Sequence, residues 1–131
     1  MSTSPEFDKV RFNAGTAVFR LGYSHFNKGS APRAPKIPRG WAENPSDPKG
    51  MIHPARLRDA VRYFDISLEI WPHDITTLNI RALTLLTLGD FKAAAKAYAL
   101  VLAEAKKTDN APYREQAEKG LKKCEEYLAS A

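Results

Sequence analysis

With 131 residues, 44% of them hydrophobic, the chain is long enough for a modest core and too apolar to stay disordered. No apolar run approaches the roughly 20 residues of a membrane helix. Residues 1–8 carry acids and no apolar signal-peptide core. The lone cysteine, Cys124, excludes an internal disulfide, so the expectation is one cytoplasmic domain over residues 1–131. The formal net charge is +5, and it is concentrated. Lys28, Arg33, Lys36, Arg39, Lys49, Arg56 and Arg58 face only Glu43 and Asp47 between residues 28 and 58, which leaves the whole excess there.

In chain order, residues 8–27 read as a helix. Val10, Ala14, Ala17, Val18 and Leu21 recur at helical intervals, with Ser4 or Asp8 as the expected cap and Pro5 suited to an early turn. Residues 28–54 hold six of the nine prolines and Gly29, Gly40 and Gly50. Proline removes a backbone donor and blocks helix, so this basic segment is expected to be a long loop without strands. Helix resumes after Pro54 and ends near Ile70, before Trp71-Pro72. Asp74 is expected to cap a helix over 75–88 closed by Gly89, and Asp90 to cap one over 91–106. A last helix spans 111–129, with Pro112 in its first turn. Its apolar stripe is Tyr113, Ala117, Leu121, Cys124 and Leu128, a candidate self-association surface.

Two of these stretches repeat. Leu57, Ala60, Phe64, Ser67 and Leu68 return 34 residues later as Phe91, Ala94, Tyr98, Val101 and Leu102. Within 74–107, Ala82, Gly89, Ala94 and Tyr98 fall at the intervals of the tetratricopeptide repeat family, which the chain resembles here; Lys106 replaces the usual final proline. Segments 8–27 and 55–71 look like a first repeat, with Gly15, Gly22, Ala60, Phe64 and Pro72 in matching places and 28–54 inserted. The helix at 111–129, with Ala117 as its small residue, looks like a capping helix. The resemblance implies an all-α stack of helix hairpins, about five helices, with Gly22 and Gly89 at the turns and a groove lined by the first helix of each pair.

That groove is where binding of another protein or peptide is expected. Its facing residues are Lys9, Asn13, Thr16 and Arg20, then Thr76, Asn79, Leu83 and Thr87. Arg33, Lys36, Arg39 and Trp41 of the insertion are candidate contacts as a lid or docking arm; the competing expectation is a spacer or a loop packed on its own helices. The expected function is a non-catalytic interaction module: an adaptor, chaperone or assembly subunit. The alternatives are a nucleic-acid-associated protein using the basic insertion and a structural subunit that homo-oligomerises. His25, His53 and His73 lie in separate segments without ligand spacing. Cys124 sits on an apolar stripe, and no phosphate loop is present. No metal, cofactor, catalytic group or membrane is expected.

Overall fold

A computed structural model of the chain describes residues 5–130. Among them are five helices: α1 (Pro5–Lys28), α2 (Pro54–Ile70), α3 (Ile75–Leu88), α4 (Phe91–Lys107) and α5 (Ala111–Ala129). They pack in succession, α1 on α2, α2 on α3, α3 on α4 and α4 on α5, and α3 also meets α5. No helix among the described residues is long and apolar enough to cross a membrane.

The helix ends follow local chemistry. Asp74, Asp90 and Asn110 cap α3, α4 and α5 by accepting the backbone N–H of Thr76, Ala93 and Tyr113. His53 does the same for α2 through Nδ1, accepting from Arg56 N–H at 3.3 Å. Gly89 ends α3 with φ at 83°, a left-handed geometry that costs a side chain about 1 kcal/mol or more. Of the two caps expected for α1, Asp8 lies inside the helix, among the acids of its first turn, and Ser4 falls outside the described residues.

A heptad match joins α1 to α2. Gly15, Gly22 and Gly29 lie seven residues apart, as do Leu57, Phe64 and Trp71. A Cβ on Gly15 would sit 3.5 Å from Trp71, one on Gly22 2.7 Å from the Phe64 ring, and one on Gly29 2.5 Å from Leu57. The pairings run in opposite directions along the chain, so α1 and α2 are antiparallel. Gly22 therefore makes no turn, contrary to the expectation from the repeat pattern. It is a close-approach position in mid-helix, and the chain continues helical to Lys28. Ser67 Oγ adds a buried hydrogen bond to Gly15 O at 2.8 Å.

The expected loop at 28–54 is also corrected. It contains β1 (Ser30–Pro32), β2 (Ala42–Glu43) and β3 (Gly50–Ile52), in the antiparallel order β1-β3-β2. Ser30 pairs with Ile52, Pro32 with Gly50, and Glu43 with Met51. Pro32 is tolerated because β1 is an edge strand, where a missing donor breaks no second ladder. Two consecutive turns, Asn44-Pro45-Ser46-Asp47 and Asp47-Pro48-Lys49-Gly50, join β2 to β3. Asp47 N–H donates to Asn44 O at 3.2 Å and Gly50 N–H to Asp47 O at 3.1 Å. The Asn44 and Asp47 side chains accept from Ser46 N–H and Lys49 N–H, each at 2.9 Å. β3 is wholly buried. The turn region reaches the far helices: Pro45 packs on Gly89, and the Tyr127 hydroxyl donates to Ser46 O at 3.1 Å while its ring stacks on Phe91. The insertion is thus a small ordered sheet that straps α1–α2 to the α3–α4 turn and to α5.

One apolar core unites α3, α4 and α5. It holds Leu78, Ala82, Leu85, Leu86, Ala94, Ala97, Tyr98, Val101, Ala117 and Cys124. Most of the α5 stripe expected as a self-association surface is used inside the chain: Ala117 and Cys124 are fully buried, Tyr113 and Leu121 pack against the core, and Leu128 stays exposed.

Candidate functional site

The helices α3 and α5 lie side by side in a constant register. Thr76 Oγ1 and the Tyr113 hydroxyl are hydrogen-bonded at 3.1 Å, and Asn79 Nδ2 donates to Gln116 Oε1 at 2.9 Å. Both pairs are separated by 37 residues, so the two helices run parallel. The next steps of that register, Leu83 with Gly120 and Leu86 with Lys123, line an open cavity of about 240 Å³ together with Asn79, Tyr98, Gln116 and Lys119. The spacing explains the grouping. Residues 79, 83 and 86 share one face of α3, and residues 116, 119, 120 and 123 share one face of α5.

Gly120 shapes the floor. A Cβ there would fall 2.5 Å from the Tyr98 ring, so the missing side chain lets α4 and α5 close while the cavity keeps an aromatic base. Leu83 is 37% exposed and adds an apolar wall. Lys119 and Lys123 are exposed above it. Helical spacing turns Glu118 and Glu125 to the opposite side of α5. The result is an apolar base beneath amide groups and two ammonium groups.

The groove expected between α1 and α3 is not formed as such. The main neighbour of α1 is α2, with only slight contact to β1. Lys9, Asn13 and Arg20 are exposed on α1, and Thr16 turns its hydroxyl to Phe12 O of its own helix. On α3, Thr76 and Asn79 face α5, Leu83 lines the cavity, and Thr87 bonds its own Leu83 O. Sequence reasoning named the α3 half and missed Gln116, Lys119, Gly120 and Lys123 opposite. The spacing of those four, 3-1-3 along the chain and so on one helix face, was the available signal.

In the insertion, Arg33 forms an ion pair with Glu43 at 2.7 Å, and Trp41 lies half-buried, edge-on to His53 at 5.4 Å between ring centroids. Lys36 and Arg39 are exposed. None of the four lines the α3–α5 cavity. Among the described residues no group of three or more His, Cys, Asp or Glu is arranged to hold a metal ion. His25 stacks on Tyr63, His53 caps α2 and His73 faces Glu104.

Burial pushes the Cys124 thiol up, with Glu125 adding to the rise against an opposing hydrogen bond from its own backbone. This disfavours the thiolate that a nucleophile requires. Burial likewise pushes the Tyr98 phenol up to about 12, with Cys124 adding to the rise. The folded chain keeps that proton through the range in which the unfolded chain loses it, near pH 10. The unfolded state then binds fewer protons, so stability falls between pH 10 and about 12. In denaturant titrations, the wild-type advantage over Tyr98→Phe is expected to hold below pH 10 and shrink above it; a constant difference would contradict the burial of this phenol.

No family model, curated protein or solved structure matches this chain.

Proposed function

We propose that this chain is a non-catalytic, tetratricopeptide-like recognition module that holds an acidic segment of another protein between α3 and α5. The observation that carries the reading is the cavity itself. Tyr98, Leu83 and Leu86 offer apolar contact under Lys119 and Lys123, and Asn79 and Gln116 offer amides at its edge. Ammonium–carboxylate hydrogen bonds are roughly twice as strong as neutral ones, so the two lysines favour aspartate- or glutamate-bearing ligands. The parallel course of α3 and α5, with α4 packed on both, supports the repeat-like reading, because first helices of successive hairpins run this way. The buried free Cys124 accords with a reducing cytoplasm.

The test is fluorescence anisotropy against an array of acidic peptides with interspersed apolar residues. Lys119→Glu/Lys123→Glu is expected to weaken the best ligand at least about tenfold, the effect of about 1.4 kcal/mol. Neutralising Arg33, Lys36 and Arg39 should leave it unchanged. The reading fails if no peptide binds, or if affinity depends on the insertion and transfers to nucleic acid.

A further inference from the structure

The fold sorts the basic residues between 28 and 58 into two groups. At one end of the strap the charges cancel. Arg33 pairs with Glu43 at 2.7 Å, and Lys49 sits on the turn where its own N–H donates to the Asp47 carboxylate at 2.9 Å. The rest, Lys28, Lys36, Arg39, Arg56 and Arg58, are exposed and form no ion pair among the described residues. They account for the whole formal net charge of +5.

His53 gathers three of them at the other end of the strap. Its backbone N–H donates to Gly29 O at 2.8 Å, next to Lys28 at the close of α1. Its Nδ1 accepts from Arg56 N–H at 3.3 Å. Its Nε2 lies 3.4 Å from where a Cβ on Gly40 would stand, which brings Arg39 alongside. Gly40 takes φ of 87°, a turn suited to glycine, and half-buried Trp41 follows it onto the edge of the imidazole. Lys36 is three residues before Arg39 on the same exposed loop. Asp59, one turn along α2 from Arg56, faces Arg62 at 3.8 Å. Arg58 leaves on another side of α2, toward Leu88 and Asp90.

We infer that this end of the strap binds a single-stranded nucleic acid. Lys28, Lys36, Arg39 and Arg56 meet its phosphates, and Trp41 offers a ring to a base. Three observations select this occupant. The cations are uncompensated and exposed, as contacts to a phosphate backbone require. None of the exposed large apolar side chains lies between residues 28 and 58. A protein partner is held by apolar and aromatic anchors, and a membrane surface takes an apolar face together with charge, whereas nucleic-acid interfaces are polar and positive. Finally, the one indole of the insertion sits among these cations. Single strands use that combination because their bases are open to stacking. None of these residues lines the α3–α5 cavity, so the two sites can be filled together.

The test is fluorescence anisotropy of the full chain with fluorescein-labelled oligodeoxythymidylate of about 20 nucleotides. Four phosphate contacts predict a slope of log affinity on log salt of about −3, a fall of about fiftyfold from 50 to 200 mM. Lys36→Gln/Arg39→Gln/Arg56→Gln should bring the slope to about −1. Lys92→Gln/Lys96→Gln/Lys106→Gln makes the same charge change at exposed positions of α4 and should leave it near −3. Trp41→Ala should weaken binding about tenfold at every salt concentration with the slope unchanged, and Trp41→Phe should restore most of the loss. If Trp41→Ala unfolds the strap, the charge variants, which alter only exposed side chains, still decide. Absence of binding at 50 mM salt, or equal losses from the two triple variants, overturns the proposal. Polyglutamate that displaces the label as well as unlabelled strand does, or tighter binding of the matching duplex, overturns it too. Lys119→Glu/Lys123→Glu should keep the slope, so failure here is distinct from failure of the peptide groove.

Discussion

Phe64→Ala is expected to cost about 3–5 kcal/mol, a large part of the roughly 5–15 kcal/mol that stabilises a domain. Phe64 is fully buried, and its ring lies against the bare backbone of Gly22 with Phe19 beside it at 5.7 Å. Truncation leaves a cavity that α1 cannot close without sliding, because Gly15–Trp71 and Gly29–Leu57 hold the same register on either side. Gly22→Ala probes the contact from the other side. Helix propensity favours alanine by about 1 kcal/mol. The new Cβ would be 2.7 Å from the ring, and overpacking of this kind costs about 1–3 kcal/mol, so net destabilisation is expected. Combining Gly22→Ala with Phe64→Leu should recover part of that loss, a coupling seen only between residues in contact. Urea titration measures all three variants. A Phe64→Ala cost below about 1 kcal/mol would mean that α1 does not pack on α2 in this register.

What the sequence made legible was whatever is decided locally. The helices α3, α4 and α5 were readable because Asp74, Asp90, Gly89 and Pro112 signal ends within a turn of the residues they affect. Gly22 misled because a seven-residue gap from Gly15 suits two things, a repeat turn and a packed helix face. The second asks only for large residues at matching spacing elsewhere, and Leu57, Phe64 and Trp71 supply them. The sheet was hidden for another reason. Strands of two or three residues are too short to display alternation, and proline and glycine concealed them further. Their register depends on distant groups, such as His53 N–H donating to Gly29 O at 2.8 Å. The tandem Asn-Pro and Asp-Pro turns at 44–50 were nonetheless written plainly in the chain. Half of the candidate groove was named from α3. Its other half came from α5 rather than α1, because α5 packs on α3 whereas α1 packs mainly on α2.

The strap makes Ile52→Ala the most discriminating variant in the insertion. A disordered spacer would tolerate the change, since surface substitutions lie within about 0.5 kcal/mol of neutral. In the described fold Ile52 is 3% exposed, on a central strand hydrogen-bonded on both sides, so the expected cost is about 2–5 kcal/mol. Arg33→Ala, which removes an exposed ion pair with Glu43 on the same sheet, should cost no more than about 1 kcal/mol. Tyr127→Phe removes a single hydrogen bond to Ser46 O and keeps the stacking on Phe91, so about 1 kcal/mol is expected there too. The contrast is the test. A large Ile52 effect beside two small ones means that apolar burial anchors the sheet and that its polar contacts fix where it lies. Hydrogen exchange adds a spatial readout. If the strap couples the ends of the chain, Ile52→Ala speeds exchange in the last turns of α5 as well as in β3. If exchange rises in β3 alone, the insertion is an independent flap and the link through Ser46 and Tyr127 carries no stability.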